Sequence, residues 1–126
     1  MAIKFQAIAR KNPLQPNDPA KFYPSPVYTD KLTLRKISKE IAERTSLSGT
    51  DVMAVLEALT QVLPFFLIEG NIIYLGDFGT FRISLHCNGK DTAEALIASD
   101  ITDFKLLFRP GKELSTQLKL IEVVKV

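Results

Sequence analysis

The sequence predicts an α+β fold in which a pair of helices precedes a set of short strands. Apolar residues recur at helical spacing from Leu34 to Ile41 and again from Val52 to Phe66. After Gly70 the pattern changes to short apolar runs separated by turn-forming residues, as strands require. Before Leu34, five prolines (Pro13, Pro16, Pro19, Pro24 and Pro26) forbid a long regular helix and favour extended or turning backbone.

In chain order, Ile3 to Ala9 reads as a short strand of imperfect alternation. Phe22, Tyr23, Val27 and Tyr28 are placed to cover an apolar edge or to form a further strand. Thr33 caps a first helix whose Leu34, Ile37 and Ile41 share one face. Glu40 and Arg44 lie one turn apart, the spacing of a modest surface pair. Ser48 caps a second helix, with Asp51 in its positive first turn. Val52, Val55, Leu56, Leu59, Val62, Leu63 and Phe66 outline its apolar side. Pro64 should bend or interrupt this helix, because the ring removes a donor and crowds the preceding turn. Gly70 supplies the exit. Ile72 to Leu75 and Thr80 to Leu85 read as strands around a turn at Gly76-Asp77, and Asn88-Gly89 has the residues of a tight hairpin turn. Ala93 to Ala98 fits either a brief helix or a connecting loop. Thr102 to Phe108 is a returning strand, Pro110 starts a short helix through Gln117, and Ile121 to Val126 adds a terminal strand.

Composition narrows the function. A chain of 126 residues suits one domain, and 46% hydrophobic residues argue against disorder throughout. The most apolar run, Val62 to Leu67, is short and holds Pro64, so no bilayer-spanning helix of about 20 residues is expected. Met1-Ala2-Ile3-Lys4-Phe5 lacks the apolar stretch of a secretory signal, and Cys87 has no second cysteine to pair with. A cytoplasmic protein is the expectation. The net charge of +2 arises within the first thirty residues, which carry four basic and two acidic groups, while the rest of the chain is balanced.

No catalytic centre emerges. His86 and Cys87 are neighbours and point to opposite faces of a regular strand. With no second histidine or cysteine, a zinc site of the usual kind cannot be built. The glycines form neither a P-loop nor a dinucleotide fingerprint. The carboxylates are scattered, so catalytic, metal and cofactor residues are expected to be none. Tyr23, Tyr28 and Tyr74 fit packing better than base stacking.

Two separated segments are more specific: Leu75-Gly76-Asp77-Phe78-Gly79-Thr80-Phe81 and Phe108-Arg109-Pro110-Gly111-Lys112. Together they resemble the signature of the bacterial histone-like HU/IHF proteins, over residues 32–118. Asp77 is an altered residue relative to the commoner Gly-Phe-Gly-Thr-Phe form, and Lys112 matches a frequent basic DNA-contacting position. The resemblance implies an intertwined homodimer that grips the minor groove of double-stranded DNA with a β saddle and two arms. The helix faces, with Phe78 and Phe81, would form the shared core. Residues 1–31 are then a Pro-rich extension with a strand, 32–118 the HU-like domain, and 119–126 a strand added to the same compact unit. The long ends resemble the extended HU-like variants of Bacteroides-type bacteria. The DNA-binding residues expected are Arg82, Lys90, Lys105, Arg109 and Lys112.

One departure from the family pattern matters for mechanism. Family arms commonly carry Arg-Asn-Pro, whose proline wedges between bases. Residues 84–103 contain no proline and instead hold Asp91, Glu94, Asp100 and Asp103. Less bending is therefore expected. The function implied is non-enzymatic, weakly sequence-specific duplex binding, nucleoid-associated. The alternative is a structural or protein-interaction module, with an unidentified protein partner, on the same scaffold.

Overall fold

The computed structural model describes residues 2–126. In chain order the elements are β1 (Ala2–Arg10), β2 (Lys21–Val27), α1 (Leu34–Arg44), α2 (Gly49–Ile68), β3 (Ile73–Tyr74), β4 (Gly79–His86), β5 (Asp103–Pro110), α3 (Lys112–Leu118) and β6 (Glu122–Lys125). A 3₁₀ turn at Ala98–Asp100 lies between β4 and β5. The mixed α+β class, with the helical pair ahead of the three-stranded sheet, is the one the sequence predicts.

The elements group into two units. One combines the described residues up to Thr33 with Gln117–Val126, and the other is Leu34–Thr116. The first is a sheet ordered β2-β1-β6, in which β2 runs antiparallel and β6 parallel to β1. The C-terminal strand thus pairs with the N-terminal one. Pro24 and Pro26 lie inside β2, opposite Ala7 and Phe5. Proline is tolerated there because β2 is an edge strand and residues two apart turn their missing donors to the same side.

In the second unit α1 packs against α2, and the sheet is ordered β3-β4-β5. The Ser48 side chain accepts from the Asp51 N–H at 3.2 Å, the expected cap. At the other end Gly70 adopts φ +91° and donates to the Leu67 carbonyl, while Asn71 satisfies the Phe66 carbonyl with both its backbone and side-chain amides. Pro64 does not interrupt α2, which continues to Ile68. The ring removes only one donor, and the rest of the ladder persists around it.

Few side chains are buried. Val52 is 3% exposed, Leu67 is 9% exposed, and Ser38 satisfies its hydroxyl by donating to the Arg35 carbonyl. Leu67, one position beyond the last apolar residue marked in the sequence, belongs to this core. Ile37, Val55, Leu59, Val62, Phe66 and Phe78, expected in a core, are exposed in the single chain. α2 is apolar on two sides: Val52, Leu56, Leu63 and Leu67 are at least half-covered, and Val55, Leu59, Val62 and Phe66 form an uncovered stripe.

This composition gives α2 a mean hydropathy of 1.7, making it long and apolar enough by length and composition to cross a bilayer. The sequence reading, confined to the run near Val62, did not show this. Asp51 and Glu57 lie within the same helix, and a charge at mid-membrane costs about 3 kcal/mol.

Candidate functional site

Backbone geometry locks together the two segments singled out in the sequence. Phe78 donates to the Leu75 carbonyl at 3.2 Å and Leu75 to the Gly79 carbonyl at 2.9 Å, closing a tight turn. Gly76 takes φ +56° at the turn's second position, where Asp77 next to it needs no positive φ. That is why the altered residue Asp77 is accommodated. The N–H of Gly111 then donates to the Phe78 carbonyl at 2.9 Å, and the N–H of Leu114 reaches the Asp77 carbonyl at 3.5 Å. The Phe108 ring stacks at tilted angles 5.5 Å from Phe78 and 4.8 Å from Phe81. The turn therefore anchors the end of β5 and the start of α3.

The β4–β5 register decides which basic residues act together. Directly opposed residues of an antiparallel ladder leave from one face, and faces alternate along each strand. Thr80 opposes Arg109, Arg82 opposes Leu107, Ser84 opposes Lys105, and His86 opposes Asp103. Arg82, Lys105 and Arg109 accordingly share one face with Thr80, Ser84 and His86. The other face carries Phe81, Ile83 and Leu85 against Phe108, Leu106 and Phe104. Arg82 and Arg109 line a cleft of about 350 Å³ with Ile72, Thr80, Leu107 and Phe108. Tyr74 opposes Thr80, so it joins the basic face, and it is exposed. Its phenol faces outward rather than into the packing expected of it. Strand alternation in the sequence was the signal available for Tyr74, once its partner was known.

The remaining two predicted residues stand apart. Lys112 is the first residue of α3 and is exposed, with Glu113 beside it. Lys90 lies in the connection after β4, its ammonium 3.7 Å from the Asp100 carboxylate. That connection, residues 87–102, corrects the expectation of a tight hairpin at Asn88-Gly89: β4 ends at His86 and β5 starts at Asp103. It is tied down locally, the Asp100 carboxylate also accepting from the Ile97 N–H at 3.0 Å. The last short helix begins at Lys112 rather than at Pro110, which closes β5 opposite Gly79. Cys87 is exposed and its thiol donates to the Asn88 carbonyl at 3.3 Å. Among the described residues no group of three histidine, cysteine or acidic side chains converges to hold a metal.

Comparison with known proteins adds a family and a fold. Residues 1–125 match the family HU-HIG, described as an HU domain fused to wHTH, Ig, or glycine-rich motif. No curated protein matches the sequence. Among solved structures the chain is similar to a protein of Bacteroides vulgatus ATCC 8482 provisionally named a bacterial DNA binding protein, with a TM-score of 0.68 and 12% identity. The alignment covers 99% of this chain and 48% of that one, so the chain spans about half the length of its structural neighbour.

Proposed function

The chain belongs to the HU-HIG family, an HU domain fused to wHTH, Ig, or glycine-rich motif, and from that membership we propose that it binds double-stranded DNA as a homodimer without catalysing a reaction. The observation that carries this reading is the convergence of Arg82, Lys105 and Arg109 on one sheet face. Cations so arranged meet successive phosphates along a backbone, which gives affinity without reading base identity. Lys112 extends the contact set. Lys90, already paired with Asp100, contributes least. A second copy covers the Val55–Leu59–Val62–Phe66 stripe, so α2 faces protein rather than lipid. The long ends support grouping the chain with the extended Bacteroides-type variants, and a duplex partner supports a cytoplasmic, nucleoid-associated role.

Fluorescence anisotropy with duplexes of several sequences tests this. Three phosphate contacts from each protomer of the dimer predict about a thousandfold loss of affinity between 50 and 200 mM salt. The R82A/R109A double variant should weaken every duplex by about tenfold or more, and K112A should weaken all sequences alike. No binding at low salt by a folded dimer overturns the reading. It would favour a protein-interaction module instead, for which the Lys90–Asp100 pair and the acids of residues 87–102 already argue.

Binding should occur with little bending. A wedge between base steps is the device that kinks a duplex, and residues 84–103 contain no proline. Leu96 and Ile97 are the exposed apolar residues of the connection. Circularisation of bound DNA should therefore match that of free DNA closely. A sharp kink that disappears in I97A or L96A would refute this and identify the wedge.

A further inference from the structure

We propose that the β1–β2 hairpin is a phosphate-binding site, separate from the β4–β5 face. The hairpin register sets Arg10 directly opposite Lys21, so the two cations leave the sheet on the same side at the last rung before the loop. Like charges in that position repel and weaken a hairpin. Lys11 follows at once, and all three line a cleft of about 430 Å³ with Asn12, Asp18 and Tyr23, a volume in the range that holds small ligands. Among the described residues Arg10, Lys11 and Lys21 take no part in the Arg44–Glu40 and Lys90–Asp100 ion pairs.

The loop that carries these groups is held by its own hydrogen bonds. The Asn12 side chain accepts from the Leu14 N–H at 3.0 Å, the Asn12 carbonyl from the Gln15 N–H at 3.1 Å, and the Gln15 carbonyl from the Asp18 N–H at 3.1 Å. Asp18 is the single acid in the wall, leaving the cleft a net charge of +2. A phosphate group carrying two or more negative charges offsets it, and its oxygens accept from a guanidinium fork and two ammonium groups together. An anion seated there turns the repulsion between Arg10 and Lys21 into shared attraction. Tyr23 projects from the same face as both cations and offers a ring for the carbon surface of a sugar or base.

The test is a titration of the isotope-labelled full chain with inorganic pyrophosphate and, separately, with a short DNA duplex at constant ionic strength. Amides between Arg10 and Lys21 should shift with pyrophosphate. R10A/K21A should weaken that binding by about tenfold, and D18N should tighten it by about twofold by removing the opposing charge. The D18N gain separates a binding role from mere loss of folding. R82A/R109A should retain the pyrophosphate shifts. If the duplex moves the same amides, the phosphate comes from a DNA backbone; if pyrophosphate alone moves them, it comes from a free phosphoester. Hairpin shifts in a chain that ignores DNA would overturn the duplex reading and leave this site standing. Absence of shifts with both anions, or parental pyrophosphate affinity in R10A/K21A, overturns the site.

Discussion

In sedimentation experiments Leu59→Asp should leave the protein monomeric and lower its stability by roughly 3–5 kcal/mol, the range for an unpaired charge forced into an apolar interface. Leu59 is 37% exposed in the single chain and lies in the stripe with Val55, Val62 and Phe66. These four recur at spacings of four, three and four residues, which is the seam by which one helix meets another. The proposed second copy removes them from water together, so one carboxylate in their middle disrupts the whole seam. Far-UV circular dichroism run alongside separates dissociation from unfolding, and L59A should show a weaker form of the same shift. An L59D protein with the parent's oligomeric state and melting temperature would show that this stripe faces no partner.

Gly111→Ala should destabilise the second unit by about 3 kcal/mol in urea denaturation, the cost of a substitution for which the packing leaves no room. A Cβ at this position would collide with the Asp77 carbonyl group and lie 3.1 Å from the Gly79 nitrogen. Both neighbours are backbone, so no side chain can swing aside. The same displacement would break the Gly111 N–H bond to the Phe78 carbonyl. Gly89, with nothing within 4 Å of its would-be Cβ, provides the control: G89A should stay within about 0.5 kcal/mol of the parent. Equal stability of G111A and the parent would mean that the turn and the β5–α3 junction are not coupled.

Much of this fold could be read locally. The Ser48 cap, the Gly70 exit and the two helical faces are short-range signals, because their causes lie within one or two turns of chain. Strand positions were legible to within two residues for the same reason. What failed were features set by distant partners. Asn88-Gly89 suits a hairpin, yet the closing rung is His86 opposite Asp103, and that rung fixes how much chain must form the connection. Pro64 looked like a breaker because the sequence does not reveal how well the remaining helix is supported. The basic residues were all visible, but their grouping was not. Arg82, Lys105 and Arg109 share a face only because Ser84 opposes Lys105, and a shift of one residue in that register would send Lys105 to the other side. Lys90 looked equivalent to them until the fold brought Asp100 beside it.

The parallel pairing of β1 with β6 bears on the order of folding. Ala2 is matched with Glu122, and Phe5 with Lys125, so this ladder closes a loop containing nearly the whole chain. The Leu34–Thr116 unit is continuous in sequence and contains neither strand. Closing so large a loop has an entropic cost that nearby contacts do not share. On the ribosome the β1–β2 hairpin and the helical unit can therefore form while β6 is still unmade. Until then one flank of β1 carries unsatisfied amides and carbonyls, open to any extended strand nearby. The later β6 is made, the longer that flank of β1 stays open to mispairing.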